Sequence, residues 1–152
     1  MNETQYILNT FLLLFSGALV MLMAAGFSML EAGMVRTKNA TAILTKNICL
    51  YSLSCLAFFA IGYQLMYGSI SDGDHSGMSD FFFQVVFVAT AASIISGTIA
   101  ERMKFWSFML FVLVLACVIY PLQGAWTWGG GFLSEMGFSD FAGSTIVHSV
   151  GG

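Results

Sequence analysis

Charged side chains are scarce in this sequence. Of its 152 residues, five are Lys or Arg and eight are Asp or Glu, together 9% of the chain, whereas a soluble domain has about 25%. Hydrophobic residues make up 58%, and the mean hydropathy is +0.85. So few charges cannot cover the surface of a water-soluble globule, which excludes an ordinary soluble domain and a disordered segment. Five cationic residues also leave no basic patch for nucleic acid.

Residues that would support enzymatic or metal chemistry are equally sparse. The three cysteines, Cys49, Cys55 and Cys117, form no CxxC pair and lie in apolar runs. They are predicted to be small buried apolar residues, not disulfides or metal ligands. The sequence has no nucleophile–base pair, metal-binding cluster or phosphate-binding loop. We therefore expect neither an enzyme nor a metal or other cofactor.

Long uncharged runs fill most of the chain. A helix needs about 20 apolar residues to cross a bilayer, and four complete runs are long enough, while a fifth begins near the last residues. The runs do not alternate between polar and apolar residues, as the strands of a membrane β-barrel would. The sequence predicts an all-α, polytopic membrane helix bundle with four full transmembrane helices and the start of a fifth, at about residues 5–33, 40–68, 81–100, 105–125 and 140–152 onward.

The positive residues predict how the helices are oriented. Arg36, Lys38 and Lys46 follow the first run, and Arg102 and Lys104 follow the third. The positive-inside rule places both connections in the cytoplasm, so the N-terminus is expected outside. The acidic residues at the opposite ends of the runs are then external: Glu3, Asp72, Asp74, Asp80, Glu135 and Asp140.

An ionisable residue within the fifth run is a candidate functional residue. His148 lies eight residues into FAGSTIVHSVGG, a depth at which a histidine either serves function or hydrogen-bonds a neighbouring helix. Asp140, Ser144 and His148 are four residues apart, which predicts one stripe on a helix. Asp140 is expected near the start of that helix, where capping is a better explanation than direct substrate contact.

Aromatic residues are grouped at the predicted outer ends. Phe83 and Phe87 are four residues apart, and spacing alone favours packing in the core or against lipid over an aromatic plug that offers π-faces to a cation. Trp126 and Trp128 suit the aromatic belt of the membrane interface. Trp128 also precedes three glycines, and a turn there would let its ring overhang a vestibule.

At the predicted inner ends, local charge pairs are expected. Glu31 is predicted to pair with Arg36 or Lys38, and Glu101 with Arg102.

Small residues also recur at every fourth position of the third run, which predicts close helix packing: Ala89, Ser93 and Gly97.

Four segments carry a resemblance to a known family. They are GFSMLEAGMVRTKN (residues 26–39), GTIAERMKF (97–105), WTWGGGFL (126–133) and DFAGSTIVH (140–148). In this order and spacing they resemble the ammonium transporter family (Amt/Mep/Rh) across essentially the whole chain. The resemblance covers the N-terminal part of the family's domain, the first half of an eleven-helix fold built as an inverted repeat.

The resemblance implies a role for each candidate residue. His148 matches the first of the family's twin pore histidines. Phe87 matches a gate residue, Phe83 lies one turn outward, and Trp128 matches the tryptophan that binds the cation with them in an outer vestibule. Asp140 matches an acidic residue with a structural or electrostatic role near that vestibule. The family also implies a homotrimer with one pore per subunit, in the plasma or inner membrane.

The function expected from the resemblance is transport of ammonium or ammonia through a hydrophobic, histidine-lined pore. The alternative is an ammonium sensor, in which the same helices act on a cytoplasmic signalling domain or regulatory partner. Because the chain stops four residues after His148, before the second pore histidine of the family, we expect it to be a fragment or to be completed by another chain. The resemblance suggests no mechanism for Glu31.

Overall fold

The structure is a computed structural model that describes residues 2–152, and helices account for all regular secondary structure within that range. Two of the long helices each contain a π-helical turn, so their segments are given together. The helices are α1 (Glu3–Met34), α2 (Ala40–Ala57, Phe58–Gly62 and Tyr63–Tyr67), α3 (Gly77–Thr98), α4 (Phe105–Val114, Leu115–Ile119 and Tyr120–Thr127), α5 (Phe132–Glu135) and α6 (Ile146–Gly151).

Four of these helices are long and apolar enough to cross a membrane, in the segments Glu3–Met34, Thr37–Tyr67, Gly77–Thr98 and Phe105–Glu135. This confirms the predicted all-α bundle with four membrane spans. The chain is a multi-pass membrane protein, and the short α6 follows the four spans.

Helix α1 lies at the edge of the bundle. Only two of its 32 residues, Gly17 and Glu31, are buried. It packs mainly on α3, where a Cβ at Gly17 would lie 2.8 Å from the ring of Phe82. The other faces of α1 expose Leu and Phe side chains, which suits contact with lipid tails or with further protein.

The π-helical turns of α2 and α4 pack against each other in the core. A Cβ at Gly62 would lie only 2.4 Å from the carbonyl oxygen of Ala116, so the two backbones touch directly. Nearby, the Sγ of Cys117 lies 3.7 Å from the carbonyl oxygen of Ala57, a weak hydrogen bond. A π turn departs from the regular α-helical hydrogen-bond pattern. In this chain both π turns lie where α2 and α4 are in contact.

Helix α3 begins four residues before the predicted residue 81. The Asp72 carboxylate accepts a hydrogen bond from the N–H of Gly77 at 2.8 Å, which satisfies a free donor of the first turn. The preceding loop is tied to α1, because the Asn9 side chain donates to the carbonyl of Asp74 and Ser76 N–H donates to the Thr10 hydroxyl, each at 3.0 Å.

Helix α6 begins at Ile146, six residues later than predicted. Residues 140–145 form turns, with Gly143 at a φ of +74°. The predicted helical stripe of Asp140, Ser144 and His148 is therefore wrong. The backbone instead turns around the Asp140 carboxylate, which accepts hydrogen bonds from the N–H groups of Thr145 and Ile146.

The basic residues and most of the acidic residues lie at opposite ends of the bundle. We call the end with Arg36, Lys38, Arg102 and Lys104 the basic end, and the end with Asp72, Asp74, Asp80 and Asp140 the acidic end. Helices α1, α3 and α6 run from the acidic to the basic end, and α2 and α4 run back.

Candidate functional site: an aromatic vestibule and a histidine beneath it

A cavity of about 350 Å³ opens at the acidic end of the bundle. Its walls are almost entirely aromatic, and they come from α2, α3, the end of α4 and the turn before α6. The lining residues are Tyr67, Phe83, Gln84, Phe87, Trp128 and Phe141. The structure thus brings together Phe83, Phe87 and Trp128, three residues that lie up to 45 positions apart in the sequence. We call this cavity the aromatic vestibule.

The rings of the vestibule meet edge to face or at a tilt. Phe83 and Phe87 are one turn apart on α3, with ring centroids 5.0 Å apart and planes at 86°. The Phe87 and Trp128 centroids are 6.1 Å apart, with planes at 53°. Aromatic rings have negative π-faces and positive edges, and cations bind at the faces.

The position of Trp128 is fixed by its hydrogen bond and by the glycines that follow it. The indole Nε1 donates to the carbonyl oxygen of Asp140 at 2.8 Å. Gly129 lies against the carbonyl of Met66, where a Cβ would approach to 2.5 Å, and Gly130 has a φ of +75°. Only glycine allows this close approach and this conformation at low cost, so the glycine turn after Trp128 holds the ring over the vestibule.

Asp140 holds both Trp128 and the start of α6 in position. It is 9% exposed, and its Oδ2 accepts hydrogen bonds from the N–H groups of Thr145 and Ile146 at 2.9 and 2.8 Å. The carboxylate therefore caps the start of α6 while the carbonyl holds Trp128. Asp140 is absent from the vestibule lining, so its side chain acts on the site through the residues that it positions.

His148 lies on α6 between two points where this segment contacts its neighbours. At the acidic side, a Cβ at Gly143 would lie 3.1 Å from the Trp128 ring, and at the other side a Cβ at Gly151 would lie 2.8 Å from Ile94 of α3. The His148 side chain is exposed on this chain, and it forms no side-chain hydrogen bond with any other residue from 2 to 152. Along α6 it therefore lies further from the acidic end than the contact with Trp128.

These features can be compared with known proteins. The family model described as the Ammonium Transporter Family matches residues 11–152. The chain belongs to this family. It is 44% identical to ammonium transporter Amt2 of Archaeoglobus fulgidus, an alignment that covers 91% of this chain and 35% of the relative. It is 35% identical to ammonium transporter 3 of Dictyostelium discoideum, over 97% of this chain and 37% of the relative.

A solved structure is also similar. A protein titled "Sensor Amt Protein" superimposes with a TM-score of 0.92 and 34% sequence identity, over 99% of this chain and 43% of that protein. The chain therefore has the fold of the corresponding part of an Amt protein. It spans about a third of the length of the curated relatives named above.

At the basic end, the ion pairs of this family member differ from those predicted. Glu31 pairs with Lys46, 3.2 Å from Nζ to Oε2, and not with Arg36 or Lys38. The pair is buried, with Glu31 3% and Lys46 7% exposed. The prediction was wrong because it considered near neighbours in sequence, whereas Lys46 returns to Glu31 on the first turns of α2.

The second predicted pair, Glu101 with Arg102, is also replaced. The Glu101 carboxylate accepts hydrogen bonds from the Arg36 backbone N–H at 3.1 Å, from Arg36 Nε at 3.2 Å and from the Asn39 amide. These contacts hold Glu101 at a φ of +63°, a left-handed conformation that is uncommon for a residue other than glycine. They keep the Glu101 pKa below its ordinary value, chiefly through the Asn39 amide and then through Arg36.

Three vestibule residues were not predicted from the sequence. Tyr67 and Phe141 come from segments that end or precede a helix, where an aromatic residue carries no periodic signal. Gln84 had a usable signal, because it is a polar residue in an apolar helix beside the Phe83–Phe87 pair. No group of three potential metal ligands occurs in the part of the chain that the structure describes.

Proposed function

We propose that this chain forms part of a transporter that carries ammonium or ammonia across the bilayer. The main support is the order of features along α3 and α6. The aromatic vestibule lies at the acidic end, and His148 follows between the Trp128 contact and the Ile94 contact. This order supports a path in which a cation is attracted first and then meets the imidazole of His148.

The physics favours dehydration in two stages. Moving a bare ammonium-sized ion into hydrocarbon carries an idealised cost of order 20 kcal/mol, whereas one cation–π contact contributes about 0.5–2 kcal/mol. The rings of Trp128, Phe83 and Phe87 would therefore recruit ammonium without carrying it through a dry pore. Loss of one proton gives neutral ammonia, which avoids the charge penalty.

His148 would act in the second stage. A neutral imidazole donates one hydrogen bond and accepts another, which ammonia can match and a potassium ion cannot. The proton released from ammonium would pass separately, by a histidine or water relay. In this proposal Phe87 is the gate between the vestibule and the histidine-lined, channel-like path.

Transport by the full-length protein tests the proposal. We expect His148→Ala to lose the selectivity for methylammonium over potassium in proteoliposomes, while Ser144→Ala, a neighbouring exposed polar residue, keeps it. Normal selectivity in His148→Ala would contradict the proposed role of the imidazole.

The remaining expectations concern assembly and location. We propose a homotrimer in the plasma or inner membrane, as the family resemblance implies. The N-terminus would lie outside, since the basic end carries all five Lys and Arg residues. Labelling of single cysteines placed at residues 3 and 38 with an impermeant reagent, in intact cells, would determine the orientation. Only the first should react.

A sensor function is a second candidate, favoured by the structural neighbour titled as a sensor. In that case ammonium would bind the same vestibule, and the membrane segment would act on a cytoplasmic signalling domain or partner. A full-length protein that binds methylammonium without taking it up, and that continues into a signalling domain, would support this candidate.

A further inference from the structure

A second and larger cavity lies at the basic end of the bundle. It encloses about 640 Å³ between α1, the last turn of α3 and the loop after α3. Its walls include Phe27, Glu31 and Gly97. Gly97 lies ten residues beyond Phe87 on α3, which at 1.5 Å per residue is about 15 Å further from the vestibule.

The Glu31 side chain in this cavity has one oxygen bound and one oxygen free. Oε2 accepts from Lys46 Nζ at 3.2 Å and from the Ser96 hydroxyl at 2.9 Å. Oε1 is buried and has no partner in residues 2–152. An unpaired buried acceptor destabilises the folded protein, and more so when it is charged.

The neighbouring amide cannot remove this deficit. Asn47 Nδ2 is also unpaired, and Asn47 Oδ1 lies 2.9 Å from the Ser96 hydroxyl. Because the amide oxygen and nitrogen are interchangeable by rotation, Nδ2 can instead donate to Ser96 Oγ while Ser96 donates to Glu31. That rotation pairs Nδ2 and leaves Oδ1 unpaired in its place, and in either orientation Glu31 Oε1 lacks a donor.

The unpaired oxygen lies beside Gly97 in the cavity wall. A Cβ placed on Gly97 would lie 3.9 Å from Glu31 Oε1, an ordinary contact distance, so the absence of a side chain at Gly97 leaves room for a small group beside the buried oxygen. Sequence spacing assigned Gly97 to helix packing, but this residue instead forms part of the cavity wall.

The surrounding charges indicate what would bind there. The Glu101 carboxylate at the rim is already occupied by Arg36 and Asn39. The Lys46 Nζ contacts the other oxygen of Glu31, Oε2. A donor bound at Oε1 would therefore be nearer to the Glu31 carboxylate than to the positive charge of Lys46. The Phe27 ring adds an apolar wall with a π-face. The free position therefore suits a small cation with N–H donors.

We propose that Glu31 Oε1 and the basic-end cavity form a second binding site for ammonium or a small alkylammonium ion. The site would hold the ion at the opposite end of the path from the aromatic vestibule. This inference rests on the proposed transport function, because it identifies the ion with the transported substrate.

Calorimetric titration of the purified full-length protein with methylammonium tests the site directly. The Trp128→Ala variant serves as background, because it weakens the vestibule and leaves the basic end unchanged. We expect this background to retain one binding event and the further change Glu31→Gln to weaken it at least tenfold. Absence of binding in the background, or equal affinity with and without Glu31→Gln, would overturn the proposal.

Two further variants distinguish a loss of binding from a misfolded Glu31→Gln protein. Glu31→Gln with Lys46→Met removes both buried charges together, and Gly97→Val fills the space beside Oε1 without changing a charge. Both should weaken binding, whereas Met34→Leu in the same cavity should not. Uptake by the wild-type protein is measured in parallel. Lack of uptake would refute transport, and the titration would still decide whether the second site exists.

Discussion

Trp128 and Asp140 are joined by a hydrogen bond from the indole Nε1 to the Asp140 carbonyl oxygen, 2.8 Å long. The carboxylate of the same aspartate binds two N–H groups at the start of α6. One residue thus connects the vestibule ring to the helix that carries His148. A change in the carboxylate is expected to move both, although it touches neither the cation nor the imidazole.

The first prediction concerns this carboxylate. Asp140→Ala removes the acceptor for Thr145 and Ile146, and loss of a helix cap costs about 0.5–2 kcal/mol. Asp140→Asn keeps one acceptor oxygen and should lose less. We expect both the thermal midpoint and methylammonium uptake of the full-length protein to decrease in the order wild type, Asn, Ala. Equal uptake in all three proteins would contradict the positioning role.

The vestibule shows where sequence reasoning succeeds and where it stops. Long apolar runs predict the spans, because a helix satisfies all its backbone hydrogen bonds internally within lipid. The spacing of Phe83 and Phe87 predicts a shared face, but it cannot show that Trp128 lies beside them. The predicted start of α6 was six residues too early, because the Asp140 carboxylate binds backbone N–H groups and the segment before Ile146 turns around it. Hydrophobic periodicity carries no signal of such a contact.

The second prediction concerns the contact between the two π turns. In Gly62→Ala the new methyl group would lie 2.4 Å from the Ala116 carbonyl oxygen, a backbone atom that cannot rotate away. Overpacking of this kind costs about 1–3 kcal/mol. We expect a lower thermal midpoint in detergent for the full-length protein.

Gly26→Ala is the matched control for this change. Gly26 is also within a membrane helix, but nothing lies within 4 Å of its Cβ position. Replacing a helical glycine in open space is expected to be neutral or to stabilise by roughly 0.5–1 kcal/mol. A similar loss of stability in both variants would show that the close approach at Gly62 is not the cause.

The third prediction concerns the buried pair of Glu31 and Lys46. Lys46→Met leaves a buried carboxylate without its cation, which costs about 3–5 kcal/mol. The double variant Lys46→Met with Glu31→Gln should be more stable than Lys46→Met alone. A double-mutant cycle on the free energy of unfolding measures this coupling. The exposed pair of Arg36 and Glu101 provides the comparison, with a weaker expected coupling because solvent screens it.

These pairs also show why local charge rules failed at the basic end. Glu31 and Glu101 each have a basic residue within five positions, yet their partners are Lys46 and Arg36, 15 and 65 positions away. The tertiary fold places α1, α2 and α3 side by side, so that spatial neighbours replace sequence neighbours. In the low-dielectric interior the pairing then depends on which cation reaches the carboxylate after burial.

The fourth prediction concerns pH. The Glu101 pKa is lowered from its ordinary value of 4.5 by the Asn39 amide and by Arg36. A carboxyl group whose folded pKa lies below its unfolded pKa contributes stability that is fully present above the unfolded value. That contribution is lost as the pH falls below 4.5 and through the folded pKa. The advantage of wild type over Glu101→Gln should therefore be constant near neutral pH and disappear in acid.

Two variants identify the groups that lower the Glu101 pKa. Asn39→Ala removes the largest cause, so the acid loss should begin at a higher pH than in wild type. Arg102→Ala should leave the profile unchanged, because Arg36 and not Arg102 contacts the carboxylate. Thermal midpoints measured at half-unit pH steps would separate these outcomes. A profile that follows Arg102 would mean that the sequence-local pair, and not the contact across the fold, governs Glu101 in the protein.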